Sequence, residues 1–130
     1  MDGEVRALLD TSVVIASDIG TLDGEMAISA VTLAELHFSV LVAKRRKVRA
    51  ERLRRLLVLR RTFDALPLDD AVAASYGQVT AAVVDAGRQP RARSMDLLIA
   101  ATAHAHSARL YTRNAEDFQG LDNLIDVVAV

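Results

Sequence analysis

The stretch that decides the fold is residues 6–12, RALLDTS, in which a short apolar run ends in one carboxyl and two hydroxyl side chains. Residues 6–9 have the length and composition of a buried strand, which therefore ends directly before Asp10. Similar runs predict further strands at residues 26–28, 65–68, 109–112 and 125–130. Short apolar strands that alternate with helices are typical of an α/β fold with a mainly parallel sheet.

Helices are predicted between these strands from apolar spacing and from the positions of glycine and proline. They cover residues 12–17, 33–42, 48–63, 69–85 and 95–106, with a basic loop at 89–93. Ser94 is the expected N-cap of the last helix. On helix 48–63 the expected core-facing residues are Leu53, Leu56, Leu57 and Phe63. The predicted architecture is a three-layer α/β/α sandwich, with residues 1–130 forming a single domain.

Composition excludes several classes of protein. Cysteine is absent, which excludes disulfides and thiolate metal sites. No apolar run approaches the roughly 18–20 residues of a membrane span. Acidic residues precede the apolar stretch in MDGEVRALL, the wrong flank for a secretion signal. We therefore expect a cytoplasmic protein without membrane association.

The net charge of −1 conceals a strong asymmetry. Residues 44–61 contain ten basic residues and one acid, so this segment carries +9 and the rest of the chain carries −10. The basic helix has three possible uses, which the sequence leaves open. It can follow RNA phosphates, form a solvated face, or contact an acidic protein partner.

Four acids are candidates for one functional site. Ligands of parallel α/β folds bind outside the carboxyl ends of the strands. Asp10 follows the first strand, and Glu35 lies in the first turn of the helix after the second strand. Asp96 begins the helix after the basic loop, and Asp117 follows the strand at 109–112 by a short turn. All four are expected to converge at one edge of the sheet.

Each acid also has a purely structural interpretation. Asp10 can cap the following helix, and the spacing Thr32-x-x-Glu35 is that of a capping box. Asp96 suits the dipole of its helix whatever its function, and Asp117 can be an ordinary turn residue. Together, however, four converging carboxylates would repel one another unless a hard divalent cation, Mg²⁺ or Mn²⁺, neutralised them.

These residues lie in four segments that resemble the motifs of PIN domains. LLDTS at 8–12 resembles the opening motif, SAVTLAEL at 29–36 the second, DLLIAA at 96–101 the third and TRNAEDF at 112–118 the last. They occur in the order of that family and span nearly the whole chain. Free-standing PIN domains of this size resemble the VapC toxins of type II toxin–antitoxin systems.

The resemblance implies an endoribonuclease that uses Mg²⁺ or Mn²⁺ and is neutralised by a cognate antitoxin of the VapB type. The family's metal-binding and catalytic acids map onto Asp10, Glu35, Asp96 and Asp117. Its supporting polar residues map onto Thr11, Ser12, Thr112 and Asn114, and Asn114 shares or replaces the role of Asp117. The alternative is a PIN domain that binds RNA or protein without cleaving it.

Two further features bear on partners. Arg88, Arg91 and Arg93 closely precede Asp96 and are the expected contacts to the RNA backbone near the cation. The segment Leu33–Val42 is more apolar than a small core can cover, which predicts a homodimer, as the family resemblance also does.

Overall fold

The structure, a computed structural model, describes residues 6–130. In this part of the chain, five strands form one fully parallel sheet: β1 (Arg6–Leu9), β2 (Glu25–Ser29), β3 (Asp64–Leu66), β4 (Arg109–Thr112) and β5 (Val127–Ala129). Their spatial order is β3-β2-β1-β4-β5, so β1 is the central strand. The predicted parallel sheet is confirmed, and its carboxyl ends share one edge.

The helices are α1 (Thr11–Val14), α2 (Ala30–Val42), α3 (Arg46–Thr62), α4 (Asp70–Asp85) and α5 (Ser94–Ala105). Two short 3-10 turns complete the part of the fold formed by residues 6–130. We call Arg91–Arg93 the arginine turn and Ala115–Phe118 the acidic turn. Across residues 6–130 no helix has the length and apolar character needed to cross a bilayer.

The sheet lies between two helical layers, because β1 alternates its side chains between its two faces. Leu8 packs on one side in a core formed largely by α4 and α5. Ala7 and Leu9 pack on the other side with residues of α1, α2 and the end of α3. A third cluster joins α2 to α3 through Leu36, Val40, Leu56 and Leu59. The three-layer α/β/α sandwich is therefore confirmed.

The predicted helix starts differ from the observed ones by one to three residues, and the largest error is at α2, predicted to begin at residue 33. Helix α2 begins at Ala30 because Ser29 is its N-cap, and the Ser29 hydroxyl accepts a hydrogen bond from the Thr32 amide at 3.1 Å. Ser94 is not the N-cap of α5 but its first residue. Its hydroxyl instead donates to the Arg91 carbonyl at 3.1 Å, and Arg93 takes the N-cap position without a side-chain cap.

The predicted core-facing side of α3 is also partly wrong. Leu53 and Leu57 are 44% and 50% exposed, whereas Leu56 and Leu59 are buried. Helix α3 packs chiefly against α2 at the outside of its layer, so a narrow stripe at i, i+3 spacing is enough to cover the contact. The remaining leucines of α3 face solvent.

Candidate active site

Asp10 lies at the carboxyl end of the central strand, and its side chain is buried, with 5% of the residue exposed. Its Oδ2 atom accepts hydrogen bonds from the Ser12 hydroxyl at 2.7 Å and the Thr112 hydroxyl at 2.8 Å. Asp10 is at the N-cap position of α1, but its side chain makes no cap hydrogen bond. The helix-capping interpretation of Asp10 is therefore wrong.

The two hydroxyls are themselves oriented by the backbone. The Ser12 oxygen accepts from the Arg113 amide at 3.1 Å, and the Thr112 oxygen accepts from the Asn114 amide at 3.0 Å. Since a hydroxyl has only one proton, these contacts help to direct both protons at Asp10. Within residues 6–130, Oδ1 of Asp10 receives no hydrogen bond, so one carboxylate oxygen is held and the other is left available.

Glu35 lies in the second turn of α2 rather than the predicted first turn, because α2 begins at Ala30, and it is also held by a hydroxyl. The Thr11 hydroxyl donates to Oε1 of Glu35 at 2.6 Å, and the Thr11 and Thr32 hydroxyl oxygens are 2.9 Å apart. Because the Thr11 proton is used toward Glu35, Thr32 is the donor in the second contact. We call this chain the threonine relay. It replaces the capping box, whose N-cap position belongs to Ser29.

The other two acids are half-buried and are associated with an arginine. Asp96 lies in the first turn of α5, and Asp117 lies in the acidic turn. Nη1 of Arg93 donates to Oδ1 of Asp117 and lies 4.0 Å from Oδ2 of Asp96. Arg93, which was predicted to contact RNA, lies between two of the four acids in this structure.

The pKa of the Asp96 carboxyl reflects its burial and the charges around it. This pKa is raised from 3.8 to about 6, first by burial and then by the negative charges of Asp10, Asp117 and Glu35, while Arg93 opposes the rise. The contacts of the four acids group them in two pairs: hydroxyls next to the end of β1 hold Asp10 and Glu35, and Arg93 lies against Asp96 and Asp117.

The acids nevertheless do not form a closed set of ligands as they stand. Across residues 6–130, no three acidic or histidine side chains are close enough together to hold one ion. The available donors are carboxylate and hydroxyl oxygens, which suit a hard cation such as Mg²⁺ or Mn²⁺. The donor chemistry fits such a cation, and side chains of the acids would have to move to complete its coordination.

The remaining predicted residues occupy different positions. Asn114 is exposed and supports Thr112 through its backbone amide; its side chain caps nothing. Arg88 donates to the Gln119 side chain, beyond the acidic turn. Arg91 is exposed to solvent. The three arginines predicted to contact RNA thus have three different surroundings.

The PIN domain family model matches residues 7–124, which is nearly the whole chain. The chain belongs to the PIN-domain family. Ribonuclease VapC5 of Mycobacterium tuberculosis is 35% identical to this PIN domain over 126 residues, which cover 92% of this chain and 90% of the relative. The resemblance to PIN domains of the VapC type is therefore confirmed.

Solved structures agree with this assignment. A crystal structure of VapBC-5, a toxin–antitoxin system of Mycobacterium tuberculosis, superposes on this PIN domain with a TM-score of 0.82 and 34% identity, covering 97% of this chain and 98% of that one. FitAcB of Neisseria gonorrhoeae gives a TM-score of 0.75 and 29% identity over 93% and 95% of the two chains.

Two features of the site were missed at the level of sequence. Thr32 was considered only as a capping residue, although Thr32 and Glu35 are three residues apart and therefore share a face of α2. The ion pair between Arg93 and Asp117 joins positions 24 residues apart. Nothing in the local pattern indicates this pairing, because it depends on how the acidic turn packs beside α5.

Proposed function

We propose that this PIN domain is an endoribonuclease toxin that requires Mg²⁺ or Mn²⁺ and is neutralised by a cognate antitoxin of the VapB type. The observation that carries the proposal is the arrangement of carboxylates beside the sheet edge, where hydroxyls hold Asp10 and Glu35 and Arg93 lies against Asp96 and Asp117. The relatives named as ribonucleases and the solved toxin–antitoxin structures support it.

In this proposal Asp10 and Asp96 hold the principal cation. Asp10 would use Oδ1, since Oδ2 is held by Ser12 and Thr112. Asp117 would complete the shell, and Asn114 lies in the segment that can share this role. A bound divalent cation stabilises negative charge on a phosphate under attack and lowers the pKa of a nearby water.

Glu35 is proposed to orient the attacking water and accept its proton. Oε1 is fixed by Thr11, which leaves Oε2 for the water. The water oxygen then forms a bond to phosphorus, and the bond from phosphorus to the leaving ribose oxygen breaks. A solvent water protonates the leaving oxygen, and Glu35 returns the proton it accepted to solvent, which completes the hydrolysis. The threonine relay keeps Glu35 in place without neutralising its charge.

The RNA backbone is proposed to approach along the side of Arg88 and Arg91. Both precede α5 in the chain, Arg91 in the arginine turn that ends at Arg93 and Arg88 hydrogen-bonded to Gln119 just after the acidic turn. Phosphate contacts of this kind position a strand without reading its sequence. Binding should therefore weaken as salt concentration rises, by an amount that reflects the number of phosphates contacted.

The antitoxin is proposed to contact the exposed side of α3. Leu53 and Leu57 are four residues apart, so they share one face, and exposed arginines flank them at Arg54, Arg60 and Arg61. An acidic amphipathic segment complements this combination of apolar and basic side chains. Other arginines of α3 have internal roles: Arg49 donates to the Ala43 carbonyl and Arg52 to the Ser39 carbonyl.

A homodimer is proposed to form through α2. Phe38 and Leu41 are 66% and 75% exposed, the two highest values among the exposed large apolar side chains. These exposed apolar side chains near the end of α2 agree with the prediction that this segment is more apolar than a small core can cover. Light scattering should give twice the mass of the chain for the wild type and the monomer mass for Phe38→Asp with Leu41→Asp. A monomeric wild type would rule out this arrangement.

The test of the main proposal is RNA cleavage with Mg²⁺ or Mn²⁺ by the wild type and by Asp96→Asn. Cleavage should require the wild-type carboxylate, and equal cleavage by both proteins would exclude the proposed site. A wild type that binds the cation and RNA but cleaves no cellular RNA would establish the alternative, a non-cleaving PIN module. Cytoplasmic location and a single domain over residues 1–130 remain predictions.

A further inference from the structure

Arg93 has an unusual position for a residue expected to face RNA. It ends the arginine turn and occupies the N-cap position of α5, so its backbone is fixed beside the acids. From there Nη1 donates to Asp117 and lies 4.0 Å from Asp96. The guanidinium therefore joins two acids that come from different elements of the fold.

No other basic side chain in residues 6–130 forms an ion pair with any of the four acids. The remaining ion pairs of this part of the chain, Arg109 with Asp126 and Arg113 with Asp18, lie outside the set. Arg93 is thus the counter-charge inside the proposed cation site. A guanidinium and a divalent cation are both positive, so they compete for the carboxylate oxygens of Asp117.

We propose that Arg93 is a built-in competitor of the cation for Asp117, and that transfer of Arg93 to an RNA phosphate couples RNA binding to cation binding. The inference rests on the proposed function, because it requires both a cation and RNA at this site. It goes beyond a simple phosphate contact, since Arg93 must leave one partner before it takes the other.

The structure is compatible with an Arg93 side chain that contacts Asp117 in one state and an RNA phosphate in the other. The Arg93 side chain is 36% exposed, so it is accessible from solvent while it contacts Asp117. A guanidinium matches a phosphate as well as a carboxylate, because both present paired oxygens to its planar set of donors. Release of Asp117 would also free this carboxylate to approach the other acids, since in residues 6–130 no three acidic or histidine side chains are close enough together to hold one ion.

The coupling must be reciprocal. If a phosphate withdraws Arg93 and thereby strengthens cation binding, the cation must strengthen binding of the phosphate by the same factor. Replacing Arg93 by Gln should abolish both effects at once. In the absence of RNA, Arg93→Gln should bind Mn²⁺ more tightly than the wild type, because the competitor has been removed.

The experiment is calorimetric titration with Mn²⁺ of the wild type, Arg93→Gln, Arg93→Lys and Arg91→Gln. Each is measured alone, and the wild type, Arg93→Gln and Arg93→Lys are also measured with a short 2′-O-methyl oligoribonucleotide that is verified to remain intact. In the titrations without the oligonucleotide, Arg91→Gln is the matched control, because it removes the same charge from the same turn at an exposed position. Arg93→Lys keeps the charge and should remain nearer to the wild type.

Without the oligonucleotide, Arg93→Gln should bind Mn²⁺ about fivefold more tightly than Arg91→Gln, the size of a partly exposed ion pair. The oligonucleotide should tighten Mn²⁺ binding by the wild type by about the same factor and leave Arg93→Gln unchanged. Equal Mn²⁺ affinity in the two variants, or equal enhancement in the wild type and Arg93→Gln, would overturn the inference.

A failure of the proposed function gives a different pattern. In that case the wild type binds no Mn²⁺, or Asp96→Asn binds Mn²⁺ and cleaves RNA as the wild type does. If the wild type binds Mn²⁺, Asp96→Asn does not, and Arg93→Gln matches Arg91→Gln, the site stands and only the role assigned to Arg93 is excluded.

Discussion

The two halves of the acidic site are built in opposite ways. In the half formed by Asp10 and Glu35, the carboxylates are held by neutral hydroxyls, and Asp10 is buried. In the half formed by Asp96 and Asp117, the carboxylates are half-buried and contact the guanidinium of Arg93. We refer to these as the hydroxyl half and the arginine half.

The difference lies in what each kind of donor does to the charge. A hydroxyl fixes the direction of a carboxylate and leaves its full negative charge for a cation. A guanidinium fixes the direction and also cancels the charge. The hydroxyl half therefore keeps the full charge of its carboxylates, whereas in the arginine half Asp117 must exchange one positive partner for another before it can contact a cation.

The largest effect is expected when the hydroxyl half loses its central charge. Asp10→Asn keeps the size of the side chain but removes the negative charge that the Ser12 and Thr112 hydroxyls orient. RNA cleavage should fall on the order of a thousandfold, because outer-shell partners alone contribute about 10- to 100-fold. Cleavage rates at saturating Mn²⁺, with circular dichroism as the folding control, test this. A decrease of less than tenfold would contradict it.

A smaller effect is expected when Asp10 keeps its charge and loses an orienting donor. Thr112→Val removes the hydroxyl that donates to Oδ2 and leaves the shape of the side chain almost unchanged. Mn²⁺ affinity should fall by about tenfold, at the lower end of the range for outer-shell partners. Thr112→Ser keeps the hydroxyl and is the matched control. Equal affinity losses in the two variants would show that packing rather than the hydrogen bond is responsible.

The same comparison explains how far the sequence could predict the site. Asp10 and Glu35 follow adjacent parallel strands, so topology alone places them at one edge of the sheet. Their hydroxyl partners Thr11 and Ser12 are neighbours of Asp10 in sequence, and the motif resemblance includes them. This half was therefore accessible from local pattern and strand order.

The arginine half was much less accessible. Arg93 lies three residues before Asp96, and this spacing is equally compatible with an arginine that faces solvent, RNA or the acid. Which of these holds depends on the acidic turn, whose position is set by packing of Phe118 in the core beside α5. The exposed leucines of α3 have a similar origin, because the width of a helix contact is a tertiary property.

The arginine half can also be separated from the hydroxyl half by pH. The pKa of Asp96 is raised from its ordinary value of 3.8 to about 6, first by burial and then by Asp10, Asp117 and Glu35. Between these values the folded protein binds more protons at this group than the unfolded chain. The contribution of Asp96 to the free energy of unfolding therefore falls as pH rises from about 4 to about 6, and remains low above that.

Without divalent cations, Asp96→Asn should therefore be more stable than the wild type at pH 7. The gain should be roughly 1 kcal/mol after allowance for solvent screening of a partly exposed group. The difference should shrink toward pH 4. Thermal unfolding across this range tests it, with Asp122→Asn, which removes an exposed charge, as the control. A stability difference that does not change with pH would contradict the raised pKa of Asp96.

The smallest effect is expected at the outer end of the threonine relay. Thr32→Val removes the donor to Thr11 but leaves the hydrogen bond from Thr11 to Glu35 in place. The turnover rate should decrease by about two- to fivefold, the range of one neutral hydrogen bond, while Mn²⁺ affinity stays unchanged. Thr102→Val is the matched control, because it removes a buried hydroxyl that bonds only to the Leu98 carbonyl within α5. Weaker Mn²⁺ binding by Thr32→Val, as is expected for Thr112→Val, would contradict this prediction. It would mean that Thr32 helps to orient a cation ligand, and that Glu35 takes part in cation binding rather than only in orienting the water.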